Sequence, residues 1–113
     1  MDEQLAVEAM VSLGHADRFR AFRLLMRHVP DGMRAGELSE ALGISPSALT
    51  FHLGVLKRAR LVHARRSQRS IIYYPVLDQM HAVLEFLMND CCQGNPQVCG
   101  FIGRVSNKVA GDH

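Results

Sequence analysis

Apolar residues recur in this chain at spacings of three and four, break at glycine and proline, switch once to a β-rich run, and return to helical spacing before fading out. From about Glu3 to Leu13, Ala6, Ala9, Met10 and Leu13 define a helical stripe that Leu5, Val7 and Val11 widen into a face needing more than one neighbour. After Gly14, a second helix is predicted from Ala16 to His28. Its stripe is Phe19, Phe22, Met26 and Val29, with Arg18, Arg20, Arg23 and Arg27 largely off it, and Pro30-Asp31-Gly32 ends it. A third, short helix runs from about Ala35 to Leu42, with Leu38, Ala41 and Leu42 apolar and Gly43 at its C-terminal cap. Ile44 reads as the buried residue of a tight turn. Ser45-Pro46 then supplies an N-cap and a proline at the first helical position, where a missing N–H costs nothing. The fourth helix, about residues 45–58, points Leu49, Leu53 and Leu56 inward and Ser47, Thr50, His52 and Lys57 outward.

Between Leu61 and Pro75 two β-rich runs, Leu61 to Arg66 and Ile71 to Tyr74, flank the polar Ser67-Gln68-Arg69-Ser70, which predicts a hairpin with a basic tip. A last helix follows over about residues 78–92, with Leu77, Met80, Leu84, Leu87 and Cys91 on one stripe and Val83 and Met88 broadening it. Residues 93–113 are Gly-rich and weakly periodic, although Val98, Phe101, Ile102 and Val105 fit a short amphipathic segment. The expected fold is mainly α with a β-hairpin, in the order ααααββα, within one domain spanning residues 1–113.

Composition adds two constraints. A chain of 113 residues with 48% hydrophobic content can build one small core, and association would help it. From Ala41 to Leu77 there is no Asp or Glu, whereas Lys57, Arg58, Arg60, Arg65, Arg66 and Arg69 all fall there. A segment of that sign in a nearly neutral chain, net +2, points to a polyanion. The N-terminus opens with acids, no apolar run approaches the roughly 20 residues needed to span a bilayer, and three clustered cysteines suit a reducing compartment. A cytoplasmic protein without membrane contact is expected.

Helix, Gly-containing turn, capped helix and basic hairpin is the order of a winged helix-turn-helix, whose second helix enters the major groove of double-stranded DNA. Ser45 and Ser47 sit at a helix N-terminus, where free N–H groups favour phosphate. Thr50 and His52 offer hydrogen bonds to base edges or backbone, Phe51 offers either contact to a thymine methyl or simple packing, and Lys57 adds charge. Arg65, Arg66 and Arg69 on the hairpin reach for flanking phosphates or the minor groove.

The run from Glu37-Leu38-Ser39-Glu40-Ala41-Leu42-Gly43-Ile44-Ser45-Pro46 through Leu53-Gly54-Val55-Leu56-Lys57 resembles the signature of the ArsR-type repressors, and the likeness continues through Leu61-Val62 and Tyr73-Tyr74 over roughly residues 16–92. The resemblance implies a homodimer joined by its first and last helices, repressing its own operon until an inducer binds. This sequence departs from the family where glycine often stands, at Arg60 before the first hairpin strand and within the turn Ser67-Gln68-Arg69-Ser70. Both departures put a side chain where a left-handed backbone is expected.

Cys91, Cys92 and Cys99 are the only cysteines, all within nine residues around Gly94-Asn95-Pro96. Neighbouring cysteines are poorly placed to bond to each other, since a disulfide separates its Cα atoms by roughly 4.4–6.8 Å. Three thiolates suit a soft ion instead. Family members with a Cys-x-Cys before the turn have it where this chain has Arg34 and Gly36, and those binding zinc between last helices use positions that here carry Asp78, Met80, Cys91 and Gly94. The C-terminal trio resembles a subgroup of arsenic sensors, implying As(III) or Sb(III) as inducer and no organic cofactor. A thiol-redox or Zn/Cd-responsive repressor is the alternative. His15, His28, His63 and His81 have no ligand partner at sequence spacing and read as surface or packing residues. No phosphate-cradling Gly motif, Cys-x-x-Cys or nucleophile–base pair points to an enzyme.

Overall fold

The computed structural model describes residues 1–90. The three cysteines and the 93–113 segment therefore lie outside the described residues. Among the described residues there are five α-helices and three strands: α1 (Glu3–Ser12), α2 (Ala16–Met26), β1 (Met33–Arg34), α3 (Ala35–Leu42), α4 (Pro46–Arg58), β2 (Val62–Ser67), β3 (Ser70–Pro75) and α5 (Leu77–Glu85), with a π-helical segment over Phe86–Asp90 continuing α5. The predicted winged helix-turn-helix fold is what the chain adopts. Among the described residues, no helix is long and apolar enough to cross a membrane.

Local chemistry sets the helix boundaries. The Asp2 carboxylate accepts the Leu5 N–H at the start of α1, and Ser45 Oγ accepts the Ala48 N–H at the start of α4, each satisfying a donor the helix itself leaves free. Gly43 closes α3 at φ 68°, while its N–H and that of Ile44 both bond to the Ser39 carbonyl. The C-terminus of α4 carries a full Schellman motif: Leu61 N–H reaches the Leu56 carbonyl and Arg60 N–H reaches Lys57, with Arg60 at φ 64°. The glycine position of that motif is filled by arginine. Gln68, at φ 56°, does the same at the first central residue of the hairpin turn, the place a type II′ turn gives to glycine.

The hairpin pairs Val62 with Pro75 through to Ser67 with Ser70. A third strand, not predicted from the sequence, adds Met33 against Tyr73 and Arg34 against Ile72, giving the antiparallel order β1-β3-β2. Two residues carry no periodicity, so only the sheet edge offered by β3 defines this strand.

One core joins all layers. Leu49, Leu53 and Leu56 of α4 meet Leu38 and Leu42 of α3, Ala21, Phe22 and Leu25 of α2, Ala9 of α1, Leu61 and Val62 of the hairpin and Val83 of α5. The stripe expected on α2 is not the one that turns inward. Phe19 and Met26 are exposed at 48% and 37%, Val29 is exposed too, and Phe22 packs with Ala21 and Leu25 instead. Apolar side chains lie on two sides of this helix, and packing against α3 and α4 selects one. Likewise α1 buries Ala6, Ala9 and Ser12 while Val7, Met10 and Val11 stay exposed, and Leu77 and Leu84 of α5 are exposed. Ile44 is half-buried against the core.

Candidate nucleic-acid interface

Helix α4 is held by α1, α2, α3 and β2 on its inner side, which leaves a ridge of residues facing solvent. Ser45, Ser47, Thr50, Phe51 and Lys57 are all on that exposed side. Ser45 and Ser47 bring their hydroxyls to 3.3 Å of each other at the helix start. Thr50 donates its hydroxyl hydrogen to the Pro46 carbonyl at 2.9 Å, so its remaining capacity toward an external partner is as an acceptor. Phe51 stands well clear of the core, at 61% exposure.

His52 is different. The sequence pattern suggested an outward position beside Thr50, yet it is only 7% exposed. The reason is positional: 49, 52, 53 and 56 are one i, i+3, i+4, i+7 stripe, so His52 shares the core face with three leucines. Its ring sits against α2, with Arg18 Nη1 at 3.3 Å from Nδ1, Asp17 Oδ2 at 4.0 Å from Nε2, and the His15 ring centroid at 4.5 Å. Because guanidinium only donates, Nδ1 accepts there. Burial pushes the His52 pKa below its ordinary 6.5, and the neighbouring His15 and Arg18 push in the same direction, with Asp17 opposing. His52 therefore lies on the inner face of α4, against α2, and not among the solvent-facing residues beside Thr50.

Arg18 does not stand out in the sequence. Its Nε donates to the Ser12 carbonyl at 2.6 Å, so this one side chain ties the end of α1 to the middle of α4. The periodic position of His52 was the available signal; nothing in sequence spacing points from residue 52 to residue 18.

The wing presents Arg65, Arg66 and Arg69, all exposed. Arg65 and Arg66 lie opposite Ile72 and Ile71, and Arg69 occupies the turn. His63 stacks on Tyr74 across the same hairpin, ring centroids 5.1 Å apart. Arg34 ends β1 and Gly36 lies in the first turn of α3, where Glu37 accepts the Arg34 N–H at 2.9 Å and its carboxyl is lowered from the usual range mainly by that bond. Neither position offers a sulfur. An exposed helix ridge whose first turn carries no acidic residue, beside a basic two-stranded arm, is a surface shaped for a groove and its phosphates.

Residues 13–65 match a family described as a helix-turn-helix domain. The transcriptional activator HlyU of Vibrio cholerae is 31% identical over 93 residues, covering 82% of this chain and 86% of that protein. A solved structure of HlyU superposes with a TM-score of 0.64 at 28% identity, over 81% of this chain and 99% of that one. An ArsR-like transcriptional regulator from Rhodococcus sp. RHA1 shares the fold, with a TM-score of 0.74 at 18% identity over 87% and 90% of the two chains. The chain belongs to the ArsR family of winged helix-turn-helix transcriptional regulators. Members are DNA-binding regulators rather than enzymes, and α4 with the β2–β3 wing occupies the place of the DNA-reading unit in this one. HlyU of Vibrio cholerae has also been solved in a reduced form, which superposes at a TM-score of 0.58 with 25% identity over 76% of this chain and 90% of that one.

Proposed function

We propose that this ArsR-family regulator represses an arsenic-resistance operon as a homodimer and leaves its operator when As(III) or Sb(III) binds Cys91, Cys92 and Cys99. The observation that carries the reading is the cysteine trio itself. Three thiols within nine residues begin directly after Asp90, where the described helix ends. A trigonal set of thiolates matches a thiophilic centre whose lone pair fills the fourth direction, whereas zinc takes four ligands. The other family ligand positions hold Arg34, Gly36 and Met80, of which the first two cannot coordinate a soft ion.

Dimerisation is supported by the exposed apolar faces of α1 and α5, where Val7, Met10, Val11, Leu77 and Leu84 reach solvent. A pair of α4 helices related by a two-fold axis reads two half-sites, so a rearrangement beside α5 alters the match to half-site spacing. Moving the operator from nearly full to nearly empty requires the inducer to favour the released state by about 5.5 kcal/mol. Ser45, Ser47, Thr50, Phe51 and Lys57 face the groove, and Arg65, Arg66 and Arg69 flank it.

A second reading keeps the DNA-binding half and makes the thiols a redox switch. The existence of a reduced form of HlyU favours it. Operator binding followed by fluorescence anisotropy, titrated in parallel with arsenite, antimonite, zinc, cadmium and peroxide, separates the two. Arsenite release that disappears in Cys99→Ser, with DNA binding retained, is the expected result. Release by peroxide alone, or undiminished arsenite release by Cys99→Ser, overturns the metalloid clamp.

A further inference from the structure

His15, Asp17 and His52 form a cluster that DNA reading does not use. Each supplies one potential ligand atom, and the three atoms lie within 4.8 Å of one another. Two come from the start of α2 and the third from the middle of α4, so the cluster bridges the supporting helix and the recognition helix. We propose that these side chains bind a divalent transition-metal ion of the zinc class, at a nitrogen–oxygen site within the helix-turn-helix and separate from the C-terminal thiols.

Three features carry the proposal. Two imidazoles and one carboxylate, with a fourth position left to water, is a donor set that zinc accepts. His52 is more than nine-tenths buried; its Nδ1 is met by Arg18 Nη1 at 3.3 Å, while its Nε2, 4.0 Å from Asp17 Oδ2, faces the cluster without a hydrogen bond among the described residues. Asp17 has its other oxygen held by Arg20 Nη1 at 3.3 Å, an outer contact of the kind that orients a ligating carboxylate. Ligand atoms around tetrahedral zinc stand about 3.3 Å apart, so the cluster must contract; His15 is exposed and has the room to make that adjustment.

Arg18 is the opposing group. Its Nη1 donates to His52 Nδ1, but a metal on Nε2 requires the hydrogen on Nδ1, and that nitrogen then no longer accepts. Metal binding and the Arg18–His52 bond exclude each other. Arg18 keeps its bond to the Ser12 carbonyl, so occupancy of the site uncouples the end of α1 from the recognition helix. His15 Nδ1 likewise accepts the Asp17 N–H at 3.1 Å, and that cap competes with ligation through the same nitrogen.

The test is Co(II) titration of the untagged full chain, monitored in the visible and near-ultraviolet and followed by Zn(II) competition. Four proteins are compared: the natural sequence, Cys91→Ser/Cys92→Ser/Cys99→Ser, His15→Ala and Asp17→Asn, each checked by circular dichroism for retained helix. The expected result is a Co(II) d–d spectrum that survives in the triple serine variant without a thiolate charge-transfer band, with binding weakened at least tenfold in both His15→Ala and Asp17→Asn. Co(II) affinity in those two variants equal to that of the natural sequence, loss of the spectrum in the triple serine variant, or no Co(II) spectrum in any protein overturns the site.

Discussion

Arg60 occupies the left-handed position that ends the recognition helix, so replacing it with glycine should stabilise the protein. An L-residue in that conformation costs roughly 1–2 kcal/mol, and glycine gives back roughly 0.5–1 kcal/mol through the greater freedom of its unfolded chain. Arg60→Ala is the control, because it removes the same side chain while keeping the Cβ that causes the strain. Arg60 is exposed, and its backbone N–H, bonded to the Lys57 carbonyl, is present in either variant, so both remove the same charge near the C-terminus of α4 and little else. The difference between them is then the backbone contribution: Arg60→Gly should exceed Arg60→Ala by about 0.5–1 kcal/mol. For a domain of this size that is about 2–8 °C in Tm. Urea and thermal unfolding followed by circular dichroism, at matched protomer concentration because dimerisation adds stability, reads it directly. Equal midpoints for the two variants, or a more stable alanine, would refute the claim that strain at φ 64° is stored at this junction.

Further outcomes follow from the site. Arg66→Ala or Arg69→Ala should weaken operator and random DNA alike and make log K against log salt shallower by about 0.9 for each phosphate no longer neutralised, measured by anisotropy across salt concentrations; unchanged slopes in both variants would remove the wing from the interface. His52 predicts a pH dependence whose sign is set by its lowered pKa: above 6.5 the ring is neutral in both folded and unfolded chains, and below it the unfolded chain takes up the proton first, so stability falls as the pH drops from 6.5 toward the folded value. Urea midpoints between roughly pH 7.5 and roughly pH 5.5 should show this decline, and His52→Gln should flatten it; an unaltered slope would mean that other groups carry it.

The helix-turn-helix was legible because its signals are local. Gly43 and Ser45-Pro46 fix the end of α3 and the start of α4 through backbone hydrogen bonds and φ preferences that need no distant partner, and the leucines at 49, 53 and 56 fix the buried side. The hairpin was equally local, and the two positions where the family resemblance leads one to expect glycine do adopt left-handed backbone at Arg60 and Gln68. His52 was legible in principle, since its place on the leucine stripe follows from helical period alone, but a polar residue next to Thr50 invites an outward reading. The three cysteines were just as visible, and the role proposed for them comes from their resemblance to a subgroup of arsenic sensors and from thiol chemistry rather than from the fold.

What the sequence by itself determined, then, is the order of the helices and the hairpin, the caps at Gly43 and Ser45, and the helix-turn-helix with its wing, because each of these is set by residues within a few positions of one another. What only the tertiary structure decided is which of two apolar sides of α2 turns inward, the short β1 strand, and the meeting of His15, Asp17 and Arg18 with His52. Those depend on neighbours distant along the chain. A helical period says that a face is apolar, but which face wins, and which polar groups are carried inside with it, is settled by the packing of one helix on the others.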